Sequence, residues 1–188
     1  MIRIGILGDI GSGKSFVAKQ FGFPVFNADQ EVSNLYKKDK NIFFKLKKVL
    51  PDHIHSFPIA KEEILNAILV NNNNLRKIVK VVHKEVRKKM VFFLKRNRNK
   101  KIIILDIPLL LENKINRKRD VLIFVDSKKS EISKRLKKRK NFNLKLLNKF
   151  KKIQLSLDYK KKKSHFIIKN DFSDKTIKKR IKDILNKV

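Results

Sequence analysis

The chain has 188 residues and a formal charge of +32, because 49 lysine and arginine residues stand against only 17 aspartate and glutamate residues. This length suits one domain with a sizeable core, and the absence of cysteine excludes disulfides, thiolate metal sites and cysteine nucleophiles. The longest apolar run, residues 102–111, is interrupted by Asp106 and Pro108 and is too short for a membrane span.

Such a basic chain invites a nucleic-acid interpretation. However, 39 of the 49 basic residues are lysine, asparagine is abundant, and glycine, alanine and proline are scarce. This bias is typical of A/T-rich coding sequences, which place lysine on solvated surfaces. We therefore expect no specific nucleic-acid partner, and the sequence implies no protein partner. Because an apolar strand follows Met1 directly, we expect no signal peptide, no membrane association and a cytoplasmic location.

The first element is an apolar strand over residues 2–7, which leads into a glycine-rich turn over residues 8–15. The turn matches G-x-x-x-x-G-K-[ST], the phosphate-binding P-loop, and a helix follows it as the motif requires. Backbone N–H groups of the turn surround a phosphate, Lys14 adds positive charge, and the Ser15 hydroxyl is a ligand for Mg²⁺. All five glycines lie in the first 22 residues, where backbone must approach an anion closely. We therefore predict that the chain binds a nucleoside triphosphate.

The next part of the chain is mostly helical after one short strand. The strand is predicted over residues 23–26, and a helix follows from Asp29 to about residue 36. Residues 38–58 are predicted as a lysine-rich helix and a loop, and the chain becomes helical again at Ala60. The histidines in this loop match no metal-ligand spacing.

One long amphipathic helix is predicted after a run of asparagines at residues 71–74, which marks a helix junction. From Leu75 to Leu94 apolar residues recur every three or four positions. His83 and Arg87 are four residues apart, so we expect their side chains to lie one above the other at the edge of the apolar stripe.

The rest of the chain alternates between strands and helices. Strands are predicted over residues 102–106, 121–126 and 165–168, and helices over residues 128–139, in a pair over residues 142–163, and after the capping residue Ser173. The first two of these strands are apolar throughout, as centrally buried parallel strands are. The pattern predicts an α/β fold with a five-stranded parallel sheet covered on both faces.

Six motifs, in chain order, make the sequence resemble the dephospho-CoA kinase family. They are residues 4–15, Asn27-Ala28-Asp29, His83-Lys84-Glu85-Val86-Arg87, residues 105–112, Arg135-Leu136-Lys137-Lys138-Arg139, and Ile168-Lys169-Asn170. The P-loop is shared by many families. Residues 105–112, which are similar to the family's Leu-Asp-x-Pro-Leu-Leu-Phe-Glu, are far more particular. The resemblance covers nearly the whole chain.

The resemblance implies a three-layer α/β/α P-loop NTPase fold, built as a single kinase domain over residues 1–188. The core would comprise residues 1–37, 98–139 and 164–188, with a helical CoA-binding subdomain at about 38–97 and a basic helical lid at about 140–163. The resemblance also implies transfer of the γ-phosphoryl group of ATP to the ribose 3′-hydroxyl of dephospho-CoA, with Mg²⁺ as cofactor.

The same resemblance assigns roles to individual residues. Catalysis is assigned to Asp29, Lys14 and Arg139. ATP binding is assigned to Gly8, Gly11, Ser12, Gly13, Lys14, Ser15, Phe16, Arg135, Arg139 and Asn170. Binding of dephospho-CoA is assigned to Asp29, His83, Arg87, Pro108, Leu109 and Glu112. The metal is assigned to Ser15 and Asp106.

Residue chemistry alone leaves alternatives open for several of these positions. Asp29 can take or orient the proton of the attacking hydroxyl, or it can cap the helix that follows. Asp106 can support Mg²⁺ or cap backbone N–H groups. Arg87 can hold an acceptor phosphate bidentately or lie on a solvated helix face. Arg135 and Arg139 can close on the phosphates and stabilise charge in the transition state, or each can lie on a solvated face. His83 beside an apolar stripe can serve packing alone.

Three positions depart from the family pattern. Asn27 replaces an aspartate and removes a possible contact to Mg²⁺ or water, and Lys84 replaces the proline after the histidine. Phe16 replaces a threonine, so only its backbone N–H can reach the α-phosphate. Because the P-loop lysine and serine and Asp29 are retained, we expect an active enzyme.

Two other functions remain open at this point. One is another small P-loop kinase acting on a nucleoside monophosphate or a similar acceptor, which should lack the motif of residues 105–112. The other is a basic nucleic-acid-binding ATPase, which needs aromatic stacking platforms. The phenylalanines of this chain fall mostly at apolar-stripe positions instead.

Overall fold

A computed structural model describes residues 1–139 and 142–188, and its central feature is a five-stranded parallel sheet. The strands are β1 Ile2–Gly8, β2 Val25–Asn27, β3 Ile102–Asp106, β4 Val121–Asp126 and β5 Phe166–Lys169. Their order is β2-β3-β1-β4-β5, and Ile4 of β1 is in register with Ile104 of β3 and Val121 of β4. The parallel pairing brings the carboxyl ends of all five strands to one edge, with β1 in the middle.

Nine helices occur in the described residues. They are α1 Lys14–Gln20, α2 Ala28–Lys38, α3 Lys40–Val49, α4 Lys61–Val70, α5 Asn72–Arg96, α6 Lys129–Lys137, α7 Leu144–Lys152, α8 Leu157–Lys163 and α9 Asp174–Leu185. No helix in these parts of the chain combines the length and apolar composition needed to cross a membrane.

The predicted elements are confirmed, with shifts of one or two residues at their ends. One local prediction needs correction. Ser173 stands at the N-cap position of α9, but its side chain makes no capping hydrogen bond. The asparagine run marks the junction between α4 and α5, as predicted. On α5 the fully buried residues end at Val82, and the later members of the predicted stripe are partly buried: Val86, Met90, Phe93 and Leu94. Phe92, which is not part of the stripe, is 66% exposed.

The chain divides into two compact units. The core unit comprises Met1–Asn27, Asn97–Asn143 and Phe150–Val188, apart from residues 140 and 141, which begin the predicted lid and lie outside the described residues. In this unit α1 and α9 pack against the sheet, and alternate strand residues such as Ile4, Ile104 and Ile123 are fully or almost fully buried beneath them. Helix α8 packs against β1 and β4.

The helical unit comprises Ala28–Arg96 and Leu144–Lys149. Helices α2, α3 and α4 each pack against α5, and the core between them is aliphatic, with Leu35, Ile42, Leu46 and Ala67 almost completely buried. The Lys149 ammonium donates hydrogen bonds to the carbonyl groups of Ile68 (2.7 Å) and Leu69 (3.2 Å) near the end of α4. This lysine of the basic segment therefore caps a helix C-terminus, where positive charge is favoured.

Candidate active site

The P-loop joins the central strand β1 to helix α1, and its glycines permit a backbone that other residues resist. Gly13, the N-cap of α1, has φ 88°, in the left-handed region. A Cβ atom there would also lie 2.7 Å from Cε1 of Phe172. The Lys14 ammonium donates to the carbonyl groups of Asp9 (2.7 Å) and Gly8 (3.3 Å). The lysine thus lies across the loop, close to where a phosphate bound by the loop amides would sit.

The loop is braced from the adjacent strands. The Ser12 carbonyl accepts hydrogen bonds from the Ser127 hydroxyl and from the side-chain amide of Asn170, each at 2.8 Å. The Asn170 backbone N–H donates to the Asp126 carbonyl at 2.7 Å. Asn170 is buried, and its side chain holds the P-loop backbone in place. Sequence reasoning missed this bracing role, and Ser127 carried no signal.

A polar cluster of Ser15, Asn27 and Asp106 lies where α1, β2 and β3 meet. Asp106 is 2% exposed, and its carboxylate accepts hydrogen bonds from the Asn27 amide and the Ser15 hydroxyl. Burial raises the pKa of Asp106, while these hydrogen bonds and the nearby Lys14 charge oppose the rise. Asn27 therefore has a positive role at this site, because its side-chain amide donates a hydrogen bond to Asp106.

The donor set of this cluster suits a hard cation. Mg²⁺ prefers oxygen ligands, and in protein sites it is typically held by one or two protein oxygens together with substrate phosphates and water. The Ser15 hydroxyl and the Asp106 carboxylate provide two such oxygens beside the P-loop. Across the described ranges there is no group of three or more histidine or acidic side chains that would hold a metal without a substrate.

Helix α6 carries Arg135 and packs on the P-loop. A Cβ atom at Gly11 would lie 3.0 Å from Leu136 Cγ and 3.1 Å from Ile132 Cγ2, both on α6. Arg135 is exposed, and its guanidinium carbon lies 3.9 Å from the ring centroid of Phe172. Arg139 follows the helix in a turn and is exposed. The packing of α6 therefore places Arg135 beside the loop.

The segment after β3 forms turns that contain Pro108 and Leu109, both half-buried. Glu112 in this segment pairs with Lys160 of α8 at 2.7 Å and accepts a hydrogen bond from the Leu155 N–H at 3.0 Å. The Lys160 side chain is 1% exposed and that of Glu112 is 10% exposed. The carboxylate of Glu112 is therefore committed to an internal ion pair that the sequence did not reveal.

Of the six residues assigned to dephospho-CoA, three lie in the helical unit: Asp29, His83 and Arg87. Asp29 is exposed in the first turn of α2, so it is not the N-cap of that helix. On α5, His83 is half-buried and Arg87 is exposed. Burial, and to a lesser extent the charge of Arg87, lower the pKa of His83. This agrees with the predicted stacking of the two side chains and keeps the imidazole neutral near pH 7.

Comparisons with known proteins agree with the geometry of the site. A sequence model of the family described as Dephospho-CoA kinase matches residues 2–176. A curated Dephospho-CoA kinase from Wolbachia pipientis wMel is 34% identical over 188 aligned residues, which cover 97% of this chain and 96% of that protein. A crystal structure from Thermus thermophilus aligns with a TM-score of 0.79 and 25% identity, covering 100% of this chain and 97% of that one. A Dephospho-CoA kinase from Campylobacter jejuni, 19% identical with a TM-score of 0.63, shares the fold over 98% of this chain and 96% of its own.

Proposed function

The chain belongs to the dephospho-CoA kinase family, and from this membership we propose how its residues carry out the reaction. The reaction is the ATP-dependent phosphorylation of dephospho-CoA to coenzyme A. In our proposal the γ-phosphoryl group of ATP passes to the ribose 3′-hydroxyl. The observation that carries the residue assignment is the meeting of Lys14, Ser15 and Asp106 at the carboxyl ends of β1 and β3.

On the ATP side, the P-loop amides and the N-terminus of α1 bind the phosphates. Lys14 exchanges its hydrogen bonds to the Gly8 and Asp9 carbonyl groups for phosphate oxygens. The charge of the lysine matters most in the transition state, where negative charge spreads over the transferred group. Arg135 and Arg139, on and just after α6, add further positive charge to the same phosphates.

Ser15 and Asp106 are the residues that we propose to hold Mg²⁺. Mg²⁺ held by these two side chains would supply positive charge that offsets the negative charge of the phosphates during phosphoryl transfer. The protein's own contribution is a carboxylate that hydrogen bonds from Ser15 and Asn27 orient. Because the Asn27 side chain is uncharged, it avoids the repulsion that a carboxylate at this position would exert on Asp106.

On the acceptor side, Asp29 orients the 3′-hydroxyl and takes up its proton, the main task of the protein on the nucleophile. Arg87 holds an acceptor phosphate through its two parallel N–H groups. His83, neutral near pH 7, contributes a hydrogen bond rather than a charge. Pro108 and Leu109 provide an apolar boundary, and Glu112 acts through its ion pair with Lys160 as a positioning residue for this segment.

The subdomains that we propose have the bounds predicted from the sequence. Residues 38–97 form the CoA-binding subdomain, and the basic segment at residues 140–163 includes the lid. In that segment α8 is packed on the sheet and Lys160 is buried, so α8 is part of the core unit. We place the reaction in the cytoplasm, where ATP is available.

A coupled assay of ADP release tests the proposal. The protein is supplied with ATP, Mg²⁺ and either dephospho-CoA or one of a panel of nucleoside monophosphates. Among these acceptors, we expect only dephospho-CoA to give rapid ADP release. Its product should carry the added phosphate on the 3′-hydroxyl. Comparable rates with a nucleoside monophosphate would identify a different small-molecule kinase.

A further inference from the structure

A stacked pair of Arg135 and Phe172 stands beside the P-loop. The guanidinium carbon lies 3.9 Å from the centroid of the Phe172 ring, within the range of a cation–π contact. Arg135 is otherwise exposed on α6, where a long side chain samples many rotamers. The aromatic face restricts the guanidinium to one plane. Arginine is suited to such stacking because its charged group is flat.

Phe172 is itself fixed to the P-loop. Its backbone N–H donates to the Asn170 side-chain carbonyl at 2.9 Å, and the amide nitrogen of the same side chain donates to the Ser12 carbonyl. The ring lies against Gly13, where an added Cβ would be 2.7 Å from Cε1 of Phe172, and its centroid is 6.3 Å from that of Phe16. The position of the Arg135 guanidinium is thus tied to the first turn of α1.

The backbone of Phe172 is strained. Its φ of 62° lies in the left-handed region, which glycine adopts freely and a bulky aromatic residue rarely does. Phe172 and Lys114 are the non-glycine residues with positive φ in the described parts of the chain. Residues with a strained backbone are concentrated at ligand-binding and active sites, where the surrounding contacts hold them in the strained conformation.

We infer that Phe172 is a positioning residue for ATP binding, and that it acts by holding the Arg135 guanidinium against the N-terminal turn of α1. The departure at Phe16 fits this arrangement, because its ring packs beside Phe172 in place of a shorter polar side chain. The inference rests on the proposed role of Arg135 in binding ATP. It adds that the arginine is ordered by an aromatic clamp before the nucleotide arrives, which lowers the entropy lost on binding.

The test measures ATP affinity by titration calorimetry without dephospho-CoA, so that it does not depend on acceptor turnover. Phe172→Leu keeps an apolar side chain but removes the aromatic face, and we expect the Kd for ATP to rise roughly three- to ten-fold. Phe172→Tyr restores a ring and should bind ATP like the unaltered protein. Circular dichroism of each variant confirms that the fold is retained.

A double-mutant cycle separates positioning from general packing. In an Arg135→Ala background, Phe172→Leu should change the Kd for ATP less than two-fold, because the residue through which it acts is gone. An unchanged Kd for Phe172→Leu overturns the inference. So does an equal loss in both backgrounds, which would mean that the ring acts independently of Arg135. The proposed function can fail separately: the protein would then still bind ATP but would not phosphorylate dephospho-CoA.

Discussion

The buried ion pair between Lys160 and Glu112 allows a quantitative prediction about stability. The two side chains are 1% and 10% exposed, and their charged atoms are 2.7 Å apart. Removing one partner of such a pair leaves an uncompensated buried charge, which typically costs about 3–5 kcal/mol. We therefore expect Lys160→Met to lower the free energy of unfolding by about that amount. For a chain of this length the loss corresponds to roughly 6–20 °C in Tm.

The neighbouring lysine provides a matched control. Lys161 pairs with Asp126 at 3.2 Å, but the two side chains are 45% and 39% exposed. Exposed pairs contribute about 0–1 kcal/mol, so Lys161→Met should have little effect. The double variant with Lys160→Met and Glu112→Leu should recover most of the loss, because no buried charge remains. Recovery should fall short by about 1 kcal/mol, since the Leu155 N–H loses its acceptor.

Urea unfolding followed by circular dichroism measures all four proteins under one condition. The expected order of stability is unaltered protein and Lys161→Met, then the double variant, then Lys160→Met. Equal losses below about 1 kcal/mol for Lys160→Met and Lys161→Met would refute the reasoning, because burial would then have no influence on the value of the pair.

Three further predictions concern the ATP side of the site. Lys14→Ala should unfold like the unaltered protein yet lose at least about 10²-fold in kcat; normal turnover by this variant would reject the ATP site. Asn27→Asp adds a carboxylate next to Asp106, so without metal its Tm should fall more at pH 8 than at pH 5; a loss independent of pH would count against this contact. Burial raises the pKa of Asp106 above its ordinary 3.8, so the unfolding free energy should decrease as pH rises from about 4 through the folded-state pKa. Asp106→Asn should remove that decrease in urea titrations between pH 4 and 7, and an unchanged slope would assign it to another group.

The fold could be predicted from the sequence because its signals are local. The apolar runs of β1, β3 and β4 and the three- and four-residue spacing on α5 determine which faces are buried. The glycines of residues 8–15 identify a phosphate loop, and Asp106 ends a strand that must lie beside it.

The contacts that the sequence did not reveal join residues far apart in the chain. Lys160 belongs to a run of four lysines that looks solvated, and only its pairing with Glu112 distinguishes it. Phe172 has no sequence signal for a left-handed backbone, since that conformation depends on its contacts with Asn170 and Arg135. The replacement at Asn27 suggested a lost contact, whereas the structure gives it a hydrogen bond to Asp106.

The central claim is that the helical unit supplies the acceptor site through Asp29 and Arg87. Steady-state kinetics with ATP and dephospho-CoA both varied tests it most directly, in the variants Asp29→Asn and Arg87→Ala. Lys88→Ala serves as the control, because Lys88 is the next residue of α5 and its side chain is 65% exposed.

Asp29→Asn should still bind dephospho-CoA while kcat falls by about 10²–10⁴-fold, at the low end if the transition state is loose. Arg87→Ala should mainly raise the KM for dephospho-CoA and leave that for ATP nearly unchanged, and Lys88→Ala should change neither. Wild-type turnover by Asp29→Asn, or a raised KM for ATP in Arg87→Ala, would contradict the account and place the acceptor site elsewhere.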